Sequence, residues 1–143
     1  MLENATGLPD KGQSDKKQSD ENLRRSEALM RAVFNTNSEL QCVTSIFGVF
    51  VDANRAFCEA SGLAREDILG KTSNDVNLWV DLGRRQEFLE TLGQNGAVDC
   101  FDADMRDADG RVHRCQLSAK VLKVGGTPLV LTCARDVSGF CGD

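Results

Sequence analysis

Val51-Asp52-Ala53-Asn54-Arg55-Ala56-Phe57-Cys58-Glu59-Ala60-Ser61-Gly62 is the stretch that decides the fold, because the chain changes its local rule inside it. Asn54 is a residue type whose side chain caps helix starts, and Gly62 is the type that ends them in the left-handed conformation. The stretch predicts a strand that leads directly into a short helix bracketed at both ends. Upstream, Leu40 to Ile46 and Val49 to Asp52 are rich in β-branched and aromatic residues and are separated by a turn containing Gly48, which predicts a hairpin. Downstream, Ala64 to Leu69, stopped by Gly70, reads as a further turn or two of helix, and Asn74 to Trp79 as a third.

A longer helix is expected from Asp81 to Leu92, with Leu82, Phe88, Leu89 and Leu92 as its apolar face and Gly93 to Gly96 closing it. Three strands follow. Phe101, Ala103 and Met105 alternate with Asp102, Asp104 and Arg106, and Cys115, Leu117, Ala119 and Val121 alternate with Arg114, Gln116, Ser118 and Lys120. The first residue of each alternation faces a core and the second faces water. Asp107-Ala108-Asp109-Gly110 and Gly125-Gly126 supply the turns. Pro128 to Ala134 is apolar at almost every position, as suits a central strand covered on both faces. The order of elements gives an α+β fold, one antiparallel sheet with helices to one side.

Outward toward the N-terminus, residues 1–18 carry little apolar side chain and read as a disordered leader. Ser19 or Asp20 then caps an amphipathic helix over residues 19–37, whose stripe of Leu23, Met30, Val33 and Phe34 must pack on its own sheet or on a second copy of the chain. The folded domain is placed at 38–138, with a tail at 139–143. A length of 143 residues suits one domain, and no apolar run approaches the ~18 residues of a membrane helix. With no basic apolar leader of the secretory kind, the expected compartment is the cytoplasm. The net charge of −5 and the scattered Lys and Arg pairs speak against nucleic-acid binding. The cysteines at 42, 58, 100, 115, 133 and 141 form no Cys-x-x-Cys pair, so they read as mostly buried, reduced thiols and not as a zinc or disulfide set.

Four groups of residues, in order, resemble the PAS family. They are Val51 to Phe57 followed by Ser61-Gly62; Ile68-Leu69-Gly70-Lys71-Thr72; Arg106-Asp107-Ala108-Asp109-Gly110; and Ala134-Arg135-Asp136-Val137-Ser138. They are similar to the family's second strand with its Asn-led helix, its "lxGkt" turn, its strand-turn glycine and its terminal Asp-Ile-Thr signature, with Val137 for isoleucine and Ser138 for threonine. The resemblance runs from about Leu23 to Ser138. It implies a five-stranded antiparallel sheet in spatial order 2-1-5-4-3, with short helices cupping a cavity against one face. It also implies a sensory or dimerisation role in a histidine kinase, a diguanylate cyclase or another regulator. The chain ends five residues after Ser138, so the effector is expected on a longer parent or a separate partner.

The expected cavity residues are Phe101, Ala103, Met105, His113, Cys115, Leu117 and Ala119, with Val130, Thr132 and Ala134 from the last strand by resemblance and Trp79 as a possible flavin-stacking group. The only histidine, His113, is read as a rim residue hydrogen-bonded to backbone, against the alternative of a haem or metal ligand. By the resemblance, Cys58 lacks the surroundings of a flavin-adduct cysteine; neither flavin nor haem is indicated, and no covalent cofactor is expected. Asp102 and Asp104 read as the wet face of an edge strand, because the acidic residues lack calcium-loop spacing. No nucleophile, base and acid can be assembled with one histidine, so no catalytic residues are assigned. Two roles stay open: a ligand-binding sensor, expected as a homodimer, that transmits through Leu23, Met30, Val33, Phe34, Asp136 and Ser138, and a ligand-free docking module.

Overall fold

A computed structural model describes residues 2–138. The chain divides into two units, Met1–Phe34 and Asn35–Asp143. The first is a helix: α1 runs Leu2–Thr36 and carries the boundary between the units. The helix expected from Ser19 is present, and helical backbone reaches back over the residues assigned to a leader. Lys, Gln and Ala in that stretch are good helix formers, so local propensity and absence of an apolar face point in different directions there. Leu23, Leu29, Met30 and Val33 are exposed, and Phe34 is half-buried. The tail at 139–143 lies outside the described residues.

The second unit contains β1 (Leu40–Ser45), β2 (Phe50–Ala53), α2 (Arg55–Ser61), α3 (Arg65–Ile68), α4 (Leu82–Asn95), β3 (Ala97–Arg106), β4 (Val112–Val124) and β5 (Thr127–Asp136). The strands form one antiparallel sheet in the order β2-β1-β5-β4-β3. The register lines up Ala53, Cys42, Thr132, Ala119 and Val98 across the full width of the sheet. That row and the parallel row of Leu40, Ala134, Leu117 and Phe101 share the face on which the core is built. Phe57 of α2, Ile68 of α3 and Phe88 and Leu92 of α4 close over it. Tilted aromatic pairs knit the layer, Phe50 to Phe57 at 5.9 Å and Trp79 to Phe88 at 5.6 Å between ring centroids.

Asn54 explains why strand gives way to helix where it does. Its side chain is fully buried, its Oδ1 accepts from Phe57 N at 2.9 Å and from Gln41 N at 3.0 Å, and its Nδ2 donates to Glu39 O at 3.0 Å. One amide thus caps α2 and ties it to the edge of β1. Gly62, at φ +73°, ends the helix and leaves room for Ala108, whose N–H donates to Ser61 O at 2.8 Å.

Five expectations change. Residues 74–79 form turns and no helix; the segment is held by the backbone, with Arg106 N donating to Leu78 O at 2.7 Å and Val80 N to Asp104 O at 3.2 Å. Leu82 is 62% exposed, because α4 begins there and its buried face is set by Phe88 and Leu92. β3 starts earlier than its alternation suggests, with a bulge between Val98 and Phe101 where Cys100 takes φ +52°, so that both Val98 and Phe101 return to the core side. Cysteine burial is also narrower than expected: Cys42 and Cys115 are buried, Cys58 and Cys133 half-buried, Cys100 exposed, and Cys141 lies outside the described residues. β5 is central as expected, but Leu129, Leu131 and Cys133 on its outer face are only half-buried. Among the described residues, no helix is long and apolar enough to cross a membrane.

Candidate functional site

A cavity of about 90 Å³ lies between the core face of the sheet and α4. Strands supply its floor: Cys42 and Thr44 from β1, Val130 and Thr132 from β5, Leu117 from β4 and Met105 from β3. The 73–79 segment brings in Ser73, Leu78 and Trp79, α4 contributes Arg85, Phe88, Leu89 and Leu92, and the β1–β2 turn closes one end with Ser45, Ile46 and Gly48. Of the residues singled out in the sequence, Trp79, Met105, Leu117, Val130 and Thr132 line this cavity. Trp79 packs against Phe88 as part of the wall.

The other expected residues go elsewhere. Phe101 packs edge-on against Phe88 at 5.3 Å and carries the Arg84 guanidinium 3.9 Å above its ring. Ala103 and Ala119 are buried core, where their small size lets the layers approach. Cys115 and Ala134 line a second, smaller cavity of about 50 Å³ together with Leu40, Ser61 and His113. Burial pushes the Cys42 thiol up to about 12, helped by nearby Cys133, and the Cys115 thiol up to about 11, so both stay protonated near neutrality.

His113 does sit at the rim, but its partners are carboxylates and not backbone. Nε2 lies 2.9 Å from Asp107 Oδ2 and Nδ1 lies 2.8 Å from Asp136 Oδ2, so both ring nitrogens are engaged by carboxylates. The hydrogen bond with Asp107 leads the causes that raise its pKa, and Asp136 adds to them against partial burial. Asp107 is correspondingly lowered, chiefly by His113. For Asp136 burial acts upward, and the bonds from Ser138 and His113 outweigh it to leave the carboxyl lowered. Ser138 completes the connection: its N–H donates to Asp136 Oδ1 at 2.9 Å and its Oγ accepts from Arg114 N at 2.8 Å. The exit of β5 is thus fastened to β4 and to the β3–β4 turn.

Sequence reasoning missed Thr44, Ser73 and Arg85. A signal for Arg85 existed: it stands three, four and seven residues before Phe88, Leu89 and Leu92, which puts one cation on the apolar face of α4. Asp104, read as wet-face, pairs with Arg114 at 2.7 Å on the edge strand β3. Among the described residues, no group of three His, Cys, Asp or Glu side chains is placed to hold a metal ion.

The comparisons agree with this geometry. The family model described as "PAS fold" matches residues 28–137. No curated protein gives a significant sequence match. Among solved structures, the PAS domain of an HTR-like protein from Haloarcula marismortui superposes with a TM-score of 0.71 at 19% identity, over 84% of this chain and 98% of that one. A domain of a sensory box sensor histidine kinase/response regulator from Geobacter sulfurreducens gives 0.65 at 25% identity, over 81% and 98%. The PAS domain of a LuxR-family transcriptional regulator from Burkholderia thailandensis, solved in complex with ethanol, gives 0.61 at 17%, over 75% and 96%. A family match over most of the chain, together with the sheet order, leads to one conclusion: the chain belongs to the PAS family.

Proposed function

We propose that this chain is a sensory input module that holds a small molecule in the cavity under α4 and passes its occupancy to an effector such as a histidine kinase or diguanylate cyclase. The observation that carries the reading is the shared strand: Val130 and Thr132 of β5 line the cavity, and the same strand ends at Asp136, fastened to His113 and Ser138. A ligand that presses on β5 therefore acts on the segment through which the chain leaves the domain, and it shifts output only by its differential affinity for two arrangements of that segment. The Geobacter relative named as part of a histidine kinase and the Burkholderia domain named in complex with ethanol support the role and the scale of the ligand. In this reading the domain's work is binding and transmission.

Comparing the mass of the purified domain under native and denaturing conditions tests this. Excess mass lost on denaturation is the expected result; a bare mass, with no binder found in a metabolite screen, removes the sensor reading. In a full-length parent, Asp136→Asn is expected to uncouple ligand from output, and an unchanged response would remove the β5 route. A second reading is favoured by the exposed Leu23, Leu29, Met30 and Val33 on α1: a docking module that joins two copies of the chain with its cavity closed.

A further inference from the structure

We propose that the ligand of this cavity is a small monocarboxylate, received by Arg85. The inference rests on the sensor reading above and names its ligand class. Arg85 lines the cavity from α4, is half-buried, and has its Nε fixed by donation to Ser73 Oγ at 3.1 Å. Its guanidinium lies against the β1–β2 turn, where a Cβ on Gly48 would stand 3.5 Å from Nη2. No carboxylate among the described residues forms an ion pair with it, whereas Arg65, Arg84 and Arg114 are paired with Asp52, Glu87 and Asp104. A half-buried guanidinium at an apolar cavity, with no carboxylate paired to it, keeps donor capacity for an anion that enters.

The rest of the cavity sets the size and kind of that anion. At about 10–15 Å³ per water-sized atom, its volume admits roughly six to nine non-hydrogen atoms. Beyond Arg85 and Ser73 it offers the hydroxyls of Thr44, Thr132 and Ser45, the last already accepting from Phe47 N and Val49 N, and otherwise mainly apolar surface such as Leu78, Phe88 and Leu117. A planar carboxylate matches the guanidinium fork, and a short alkyl chain matches the remainder. A phosphate is disfavoured: Arg85 is the only cation in the lining, and the first free N–H groups of α4 are already taken by Asp81 Oδ1, which accepts from Gly83 N at 2.8 Å and Arg84 N at 3.3 Å.

Calorimetry and thermal shift on the purified chain, at constant ionic strength, with acetate, propionate and butyrate against propanamide, 1-propanol and 1-butanol, test the proposal. The expected result is binding of at least one acid at least tenfold tighter than its neutral analogues. Arg85→Gln should lose that preference while the neutral compounds bind as before, and Arg85→Lys should keep part of it. Equal binding of acids and alcohols overturns the carboxylate and leaves the sensor reading standing; binding of neither class overturns the proposal and counts against a ligand of this size. A preference that survives Arg85→Gln assigns the anion to another group and overturns the role of Arg85. The wild-type comparison decides the ligand class by itself should either variant fail to fold.

Discussion

At the scale of single residues, two polar side chains do more than their neighbours. The Asn54 side chain bonds to Gln41 N, Phe57 N and Glu39 O from a fully buried position, so its removal strands those two N–H groups and that carbonyl. Loss of a cap together with buried unsatisfied groups predicts that Asn54→Ala costs about 3 kcal/mol in urea unfolding. Asn54→Asp keeps both acceptor bonds and should cost less; an alanine loss below about 1 kcal/mol would refute the pinning role. His113 gives a pH prediction whose sign follows from its partners. Asp107 from the β3–β4 turn and Asp136 from β5 face it, and they raise its pKa above 6.5 in the folded state. Its contribution is therefore complete below about 6.5 and is lost as pH rises through the folded value. The two carboxyls are lowered from 3.8, so their share is present above that value and is lost as pH falls through their folded values. The clamp is complete between these limits. The urea midpoint should be higher near about pH 5.5 than near about pH 8, and His113→Asn should remove most of that difference. A wild-type midpoint that is flat across this interval would mean the clamp adds nothing to stability.

At the scale of elements, helix ends show how the fold was specified. Gly62 and Gly96 both end helices at φ +73°, but a Cβ on Gly62 would stand 3.2 Å from Ala108 Cβ, and one on Gly96 would meet nothing within 4 Å. Gly96→Ala should thus show the conformational cost alone, about 1 kcal/mol, whereas Gly62→Ala adds a clash with the β3–β4 turn and should cost about 2 kcal/mol. Thermal unfolding of the pair checks this, and equal losses would show that the turn yields freely. The same contrast explains what the sequence made legible. The capped helix after Ala53, the hairpin around Gly48 and the alternation in β3 and β4 are local patterns, and all are found. The missed features depend on contacts distant in sequence: residues 74–79 hold their shape through bonds to β3, and Leu82, at the first position of α4, faces water because the helix meets the core further along, at Phe88 and Leu92. The candidate site was half legible, since alternation identifies core-facing residues but not which of them border space. Met105, Leu117, Val130 and Thr132 line the cavity, while Ala103 and Ala119, on the same face, are packed shut.

At the scale of the whole molecule, the core and the exposed stripe belong to different units, which allows folding and association to be separated. Every buried apolar residue among those described falls between Cys42 and Val130, inside the unit that begins at Asn35. A chain shortened to residues 35–143 should therefore unfold cooperatively, with a midpoint close to that of the full chain at concentrations where the latter is monomeric. Leu23, Leu29, Met30 and Val33 lie outside that core, on α1, with more than half of their surface in water. Apolar residues recurring at helical spacing on an exposed face gain most by meeting another copy of themselves, because a two-fold axis lets each stripe cover the other. Sedimentation of the full chain is expected to show a dimer, with both Met30→Lys and the shortened chain monomeric and all three equal in ligand affinity. A Met30→Lys protein that remains dimeric would move the interface off the stripe, and a shortened chain that binds ligand more weakly would mean that α1 contributes to sensing as well as to association.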